Sequence, residues 1–275
     1  MRVLYRETRY ICGDYMDVDI YPVFRRQGRR GKKAKPTSEV QEKLNARNAE
    51  RKLLRLLHTN FTGKDYEIHL TYREEDLPKS EEEAKKRVDN FMRRVKRRFE
   101  KIFPGRELRY IIVDEGGAGE GEGRFHHHVT LSGGIDRTEL EELWGHGYAN
   151  CRQLQFTEHG VEGLARYITK GKKAAGRRRW RASKNLKQPE KRERDGKISK
   201  KTLKEFCADQ SLGRKIFEKM YEGYFLASAK GFENGFNGGY YAQLSLYSGD
   251  AAFLHKRKGG GSGGKKKEPR KGSVQ

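Results

Sequence analysis

The sequence predicts an α+β protein with a ferredoxin-like split βαβ core, in which helices cover a central antiparallel sheet, followed by a C-terminal helix and β-hairpin extension. Two observations lead to this fold class. Over the middle of the chain, apolar residues recur with strand and helix periods in the order β-α-β-β-α-β. A further helical pattern and two β-rich runs follow near the C-terminus. We expect the helices to pack on one face of the sheet and bury a core there.

The first strand of this order is predicted over 65–72, where β-forming side chains alternate with polar ones. The helix that follows begins after Ser80, which forms a capping box with Glu83. Pro104 and Gly105 end this helix. Its apolar positions recur at helical spacing and are Ala84, Val88, Phe91, Met92, Val95, Phe99 and Ile102.

The second and third strands are predicted over 108–115 and 124–131, and the glycine-rich segment GGAGEGEG joins them. Asp136 caps a short helix, and a fourth strand is predicted over 148–156. A last helix is indicated by an apolar stripe of Val161, Leu164, Ala165 and Ile168.

Composition divides the chain into four segments. Residues 1–58 are predicted as a basic N-terminal arm, with the run RRQGRRGKKAK, and a helix over about 37–57, and residues 59–175 hold the β-α-β-β-α-β core and its last helix. Residues 176–250 are predicted as a basic linker, a helix near 202–221 and a hairpin of 224–229 with 240–247, and residues 251–275 as a disordered Gly- and Lys-rich tail.

Charge and cysteine content restrict the partners and the compartment. The 275 residues carry 61 Lys and Arg against 38 Asp and Glu, and the net charge of +23 favours nucleic acid first and an anionic membrane surface second. No apolar run approaches the roughly 20 residues that span a bilayer, and the start MRVLYRETRY does not resemble a signal peptide. Cys12, Cys151 and Cys207 lack CxxC spacing and are expected to be reduced thiols in the cytoplasm.

Two histidines on the third predicted strand indicate a metal site. Side chains alternate along a strand, so His126 and His128 share one face while His127 faces away. Glu115 ends the neighbouring strand and is predicted as the third ligand, with Asp114, on the opposite face, as the alternative. A non-haem iron oxygenase uses a similar set, but Ser and Gly follow this strand where the cupin version has Glu. We therefore expect Mg²⁺ or Mn²⁺ acting as a Lewis acid on a phosphate oxygen.

A tyrosine and a lysine on one helical edge form a candidate nucleophile with a stabilising charge. Tyr167 precedes Lys170 by three residues, so the two are neighbours on a helix, and Gly163 leaves that edge open to a nucleic-acid backbone. A phenol is a weak nucleophile at neutral pH because its pKa is about 10, and a nearby cation favours the phenolate. The alternative, in which Tyr167 flanks the core and Lys170 begins a basic run, stays open on these residues alone.

The stretch after this helix is strongly basic and contains one aromatic residue. Trp180 is surrounded by Arg177, Arg178, Arg179 and Arg181. Such a stretch is either a solvated face or a stacking platform in a cationic groove for single-stranded nucleic acid, and Trp180 favours the platform. Its phosphate contacts give an affinity that falls with salt and carry little sequence information.

Taken together, these segments resemble the HUH endonucleases, specifically the single-tyrosine rolling-circle replication initiators of small bacterial phages and plasmids. The resemblance covers roughly residues 60 to 172 and rests on four short motifs that are specific in this order. The motifs are Ile68-His69-Leu70-Thr71-Tyr72, then Glu115 with Gly123-Arg124-Phe125-His126-His127-His128, then LEELWGHG at 140–147, and Arg166-Tyr167-Ile168-Thr169-Lys170. The chain departs from the family at His127, where an apolar residue is usual.

The resemblance implies an HUH endonuclease fold and a metal-assisted reaction. Tyr167 attacks one phosphodiester of single-stranded or hairpin origin DNA and leaves a 5′-phosphotyrosine and a free 3′-hydroxyl. Lys170 is implied as catalytic, and Arg124 and Arg166 join the arginines of the basic stretch in holding DNA. A host or phage helicase and a DNA polymerase are expected partners in the bacterial cytoplasm, since the chain has no Walker A motif in a strand-to-helix context. A conjugative relaxase or HUH transposase shares this site, and a non-enzymatic single-strand DNA-binding protein explains the charge alone.

Overall fold

The structure is a computed structural model that describes most of the chain. The described residues are 4–24, 39–117, 123–156, 161, 165, 180–235 and 238–249, with side chains of the first helix described from residue 45 onward. The predicted basic run at 25–35 and the predicted tail at 251–275 lie outside these residues. Among the helices of the described ranges, none is both long and apolar enough to cross a membrane.

The described ranges contain ten strands and five α-helices. The strands are β1 (Leu4–Cys12), β2 (Tyr15–Val23), β3 (Tyr66–Thr71), β4 (Tyr110–Glu115), β5 (His126–Leu131), β6 (Ala149–Gln153), β7 (Arg181–Ala182), β8 (Glu190–Asp195), β9 (Tyr224–Asn234) and β10 (Gly239–Ser248). The helices are α1 (Glu39–Asn60), α2 (Glu81–Ile102), α3 (Arg137–Trp144), α4 (Lys200–Ala208) and α5 (Gly213–Met220).

One sheet, with the order β6-β3-β5-β4-β7, is called the histidine sheet below because β5 carries the histidine triplet. All its neighbouring strands pair antiparallel. Its elements follow the chain order β3-α2-β4-β5-α3-β6, and β5 lies between β3 and β4. This is the split βαβ arrangement, so the predicted α+β fold class is confirmed.

α2 and α3 pack on one face of the histidine sheet. Phe91 of α2 is fully buried in a cluster with Ile68 and Leu70 of β3. α2 begins at the predicted cap, where Ser80 Oγ accepts a hydrogen bond from Glu83 N at 3.2 Å. Burying each large apolar side chain contributes about 1.5–3 kcal/mol, so this cluster determines which strand face points to the core.

The opposite face of the histidine sheet is covered as well, so the expectation of helices on one face only is wrong. β4 contains the apolar run Ile111 to Val113, and such a run is typical of a strand that is buried on both sides. α1 supplies most of the second cover. The buried cluster consists of Leu53, Leu56, Leu57, Phe61, Ile111, Val113, Leu154, and the helical residues Val161 and Ala165.

A second antiparallel sheet, with the order β8-β1-β2-β10-β9, combines distant parts of the chain. β9 and β10 form the C-terminal hairpin that the sequence predicts. β10 also pairs with β2, which joins the C-terminal hairpin to the hairpin of β1 and β2. The N-terminal segment is therefore part of a sheet and is not only an arm and a helix.

Two helices cover the second sheet where the sequence predicts one helix near 202–221. α4 ends before Asp209, whose carboxylate accepts a hydrogen bond from Ser211 N at 2.9 Å and caps a short 3-10 turn. Phe206 of α4 and Phe217 of α5 meet edge to face with ring centroids 4.9 Å apart. Both rings are fully buried against the sheet, which is the reason that the chain bends between the two helices.

β8 shows why part of the second sheet escapes prediction. Its sequence, EKRERD, is exposed at every position. The strand is held by its ladder to β1 and by two hydrogen bonds from Arg6 to Asp195, of 2.7 and 2.9 Å. Because no apolar residue alternates along this segment, its strand character comes from tertiary pairing alone.

α1 connects the two sheets. Its leucines cover the histidine sheet, while Arg51 and Arg55 each form ion pairs with Asp17 and Asp19 of β2. Burial raises the pKa of Asp17, against the lowering effect of the two arginines. Arg55 also lies 3.4 Å from the ring centroid of Tyr10. A buried charge pair tolerates no loss of one partner, so these contacts hold α1 in one position.

Candidate metal centre

Three adjacent strands of the histidine sheet bring four ionisable side chains to one face. The register pairs His128 with His69 of β3, and His126 with Glu115 of β4. Residues that are directly opposite on antiparallel strands project to the same side. His69, His126, His128 and Glu115 therefore share the face that lies away from α2.

Three imidazoles converge on this face. One nitrogen from each of His69, His126 and His128 lies within 4.8 Å of the other two. The His69 ring stacks on His128 with centroids 4.7 Å apart and 13° between the ring planes. His126 stands edge-on to both rings, at centroid distances of 5.3 and 5.5 Å. These three residues are called the imidazole group below.

The electrostatics of His69 suit a metal ligand. Burial, followed by the proximity of His128 and His126, lowers the pKa of His69 to about 4. The ring is therefore neutral at physiological pH, which is the form that binds a metal. His69 Nε2 is buried and makes no hydrogen bond to any residue that the structure describes. Such an atom costs about 1–3 kcal/mol, which a bound cation offsets, so the residues present fit a divalent cation.

Glu115, the predicted third ligand, lies at the edge of the imidazole group. Its Oε2 atom is 3.2 Å from His126 Nε2, and His126 Nδ1 is 2.9 Å from the carbonyl oxygen of Arg124. The carbonyl can only accept a hydrogen bond, so Nδ1 carries a proton and the Nε2 lone pair of the neutral ring points to the carboxylate. Its hydrogen bond to Glu115 raises the pKa of His126. Two ligands of one cation stand about 3 Å apart, so Glu115 is a candidate fourth ligand.

The sequence analysis contains His69 only as part of a motif and misses it as a ligand. Two signals were available. Ile68 and Leu70 are apolar, so alternation places the intervening His69 on the face away from the core. In a split βαβ sheet the first and third strands are neighbours. His69 is therefore expected beside the strand that carries His126 and His128, once the sheet order is combined with alternation.

A glycine turn brings Glu115 opposite His126. Gly116 has a φ of +78°, and a Cβ at this position would lie 2.2 Å from the carbonyl oxygen of Arg124. The two sides of the turn are joined by a hydrogen bond from Gly117 N to Gly123 O of 3.1 Å. Only glycine accommodates both the positive φ and this close approach.

His127 points to the core, as alternation predicts, and is fully buried. Its Nδ1 atom is 2.8 Å from Asp114 Oδ1, and its Nε2 atom is 2.7 Å from the Tyr72 hydroxyl. Burial alone would raise the pKa of Asp114, but hydrogen bonds from His127 and from Arg181 of β7 lower it to about 2. Asp114, the alternative ligand, is therefore engaged on the face opposite the imidazole group.

The predicted nucleophile and most predicted DNA-contact residues lie outside the described residues; these are Arg166, Tyr167, Lys170, Arg177, Arg178 and Arg179. Arg124 is exposed at the start of β5. Trp180 packs against the cluster that contains α1 and Ala165. Arg181 forms ion pairs with Asp114 and Asp89, and these contacts occupy its guanidinium group.

The fold and the site together define a class: an α+β protein whose split βαβ sheet carries a candidate divalent-metal centre of three histidines. Residues 65–172 match a family model described as replication-associated protein ORF2. The matched range contains the whole imidazole group. No curated protein and no solved structure gives a significant match to the chain. The family match supports a replication initiator.

Proposed function

We propose that the protein initiates rolling-circle DNA replication as an HUH endonuclease, nicking one strand at an origin and rejoining it through a 5′-phosphotyrosine. One observation carries this proposal: the convergence of His69, His126 and His128 on one sheet face, inside the segment that matches a replication-associated family. A purely DNA-binding protein has no use for this group, because bringing three imidazoles out of water has a cost that a cation offsets.

His69, His126 and His128 hold the divalent cation in this proposal, and Glu115 supplies an oxygen ligand. The bound ion supplies Lewis-acid polarisation of a phosphate oxygen. Mg²⁺ prefers all-oxygen ligands, whereas imidazole suits transition metals. Of the two ions expected from the sequence, Mn²⁺ is therefore the better match for this donor set.

Tyr167 is the proposed nucleophile. Its oxygen forms a bond to phosphorus while the bond from phosphorus to the 3′ oxygen breaks; the phenol loses a proton and the departing oxygen gains one. The reverse step reseals the strand without a nucleotide cofactor. Ala165 and Trp180, on either side of 166–179, both pack in the cluster on the face of the imidazole group. The segment that contains Tyr167 and Lys170 therefore starts and ends on the appropriate side of the sheet, which supports these assignments.

DNA is held in this proposal by cationic side chains near the metal centre. Arg124 is exposed beside His126 and contacts the strand directly, as do Arg166 and the arginines at 177–179. Arg181 and Trp180 act indirectly, because their present contacts fix the chain to the histidine sheet. Origin DNA, a separate helicase and a DNA polymerase are the proposed partners, in the cytoplasm of a bacterial host.

The decisive experiment is a covalent-adduct assay. The protein is incubated with single-stranded oligonucleotides that tile the DNA flanking its gene, with Mn²⁺, and the products are separated on a denaturing gel. Wild type is expected to form a protein–DNA adduct and to release a fragment with a 3′-hydroxyl. Tyr167→Phe should form no adduct while it retains salt-sensitive DNA binding.

The matched controls separate chemistry from folding. Replacing His69, His126 or His128 singly should abolish the adduct, whereas His146→Ala, outside the imidazole group, should retain it. If wild type forms no adduct on any oligonucleotide, or if Tyr167→Phe forms as much as wild type, the nuclease proposal fails. A non-enzymatic DNA-binding role is then favoured.

A further inference from the structure

The edge strand β6 presents three exposed side chains on the face of the imidazole group. The register places Asn150 directly opposite His69. Tyr148, Asn150 and Arg152 alternate with Cys151, which is buried in the core cluster under the opposite face. All three side chains are exposed. An edge strand beside a catalytic face is a natural position for contacts to an extended substrate.

Tyr148 stands out among these three. It is 80 % exposed, compared with 42 % for Phe225 on the second sheet. Within the described part of the chain its hydroxyl makes no hydrogen bond, and its ring belongs to no apolar cluster. A tyrosine of this kind contributes nothing visible to folding and offers a large flat surface to a ligand.

The backbone that carries Tyr148 is tightly fixed. Its carbonyl oxygen accepts a hydrogen bond from Thr71 N at 2.9 Å, and Trp144 Nε1 donates to Thr71 O at 2.7 Å. Gly147, immediately before Tyr148, has a φ of +155°, and a Cβ there would lie 2.4 Å from the same Thr71 oxygen. The preceding residue, His146, accepts a hydrogen bond from Arg73 N at 2.9 Å through its carbonyl oxygen. An exposed ring on a fixed backbone loses little entropy when a ligand binds.

We propose that Tyr148 is a stacking platform for one base of single-stranded DNA, next to the phosphate at the imidazole group, and that Arg152 contacts the same strand. The inference rests on the proposed function only for the identity of that phosphate. Thr71 separates Tyr148 from His126 in the sheet. Two strand spacings amount to about 10 Å, so the stacked base belongs to a nucleotide close to the scissile bond.

The test uses oligothymidylate that carries a single 2-aminopurine at successive positions, with wild type, Tyr148→Ala, Tyr148→Phe and Phe225→Ala. Tyr148→Ala is expected to raise the Kd for the single strand by about 5- to 100-fold, the equivalent of one lost base stack. 2-Aminopurine fluorescence should be quenched at one position in wild type and in Tyr148→Phe, and not in Tyr148→Ala. Affinity for a duplex of the same sequence should not change, because its bases are already stacked. Phe225→Ala, which removes an exposed ring from the second sheet, should behave as wild type.

The results separate this inference from the nuclease proposal. If adducts form but Tyr148→Ala binds and quenches as wild type does, the stacking role is overturned and the nuclease stands. If no adduct forms on any DNA but binding still depends on the ring of residue 148, the stacking role stands and the nuclease fails. Equal loss of affinity in Tyr148→Phe and Tyr148→Ala would also overturn stacking, since phenylalanine retains the flat surface.

Discussion

Replacing His69 by alanine should weaken Mn²⁺ binding about 100-fold or more. The change removes one of three imidazoles whose nitrogens lie within 4.8 Å of one another. Loss of an outer partner of a metal ligand costs about 10- to 100-fold in affinity, so loss of a ligand itself lies at or above the upper figure. A factor of 100 corresponds to about 2.8 kcal/mol. The apo variant should remain folded, because His69 Nε2 makes no hydrogen bond to any described residue.

This loss can be measured by thermal unfolding and by calorimetric titration with Mn²⁺. A ligand at 100 times its Kd stabilises a protein by about 2.7 kcal/mol. For a chain of this size, 1 kcal/mol corresponds to about 2–4 °C in Tm. Wild type should therefore gain about 5–10 °C at that Mn²⁺ concentration. His69→Ala, whose Kd then equals the Mn²⁺ concentration, should gain only about 1 °C.

Two further variants decide between ligand sets. His146→Ala, which removes a ring that contacts Trp144 and Asp76 instead, should keep the full thermal shift. Glu115→Gln should lose part of it. If His69→Ala keeps the full shift while Glu115→Gln loses all of it, Glu115 is the third ligand, as the sequence alone predicts, and the role given to His69 is wrong.

Three more predictions concern the supporting structure. Gly116→Ala should lower the free energy of unfolding in urea by about 1–3 kcal/mol more than Gly123→Ala, because a Cβ at 116 meets Arg124 O at 2.2 Å and one at 123 meets nothing within 4 Å; equal losses would refute this. Asp17→Asn should cost about 3–5 kcal/mol through Arg51 and Arg55, against less than about 1 kcal/mol for Asp195→Asn in an exposed pair; similar costs would show that the cluster is not buried. Burial raises the pKa of Cys12 to about 11 and of Cys151 to about 12, so both thiols stay protonated at pH 8 and should react with a thiol reagent only after unfolding, and rapid native labelling would contradict this.

The histidine sheet could be predicted because its information is local. Each of its four main strands alternates or is continuously apolar over its own length, and α2 carries a stripe from Ala84 to Phe99 with a cap at Ser80. The common face of His126 and His128 follows from alternation within one strand. No pairing partner is needed for any of these inferences.

The parts that could not be predicted depend on residues distant in the sequence. β8 is a strand only because β1 lies beside it. Asp17 and Asp19 interrupt the apolar pattern of β2, and their reason for being there is the pair of arginines on α1. His69 becomes a candidate ligand only when β3 is placed next to β5. In each case the signal lies in a pairing and not in a period.

The face of the imidazole group changes character along its strands, and this gives the centre a direction. Ile111 and Val113 are fully covered by the cluster that contains α1 and Ala165, whereas Glu115, two residues further along β4, is only partly buried. On the opposite edge, Tyr148 marks the open end of the same face. A DNA strand can therefore approach from the end where Tyr148 and Glu115 lie. The proposed nucleophile, two residues beyond Ala165 in the sequence, comes from the covered end. Substrate and nucleophile then reach the imidazole group from different sides, as an in-line displacement at phosphorus requires.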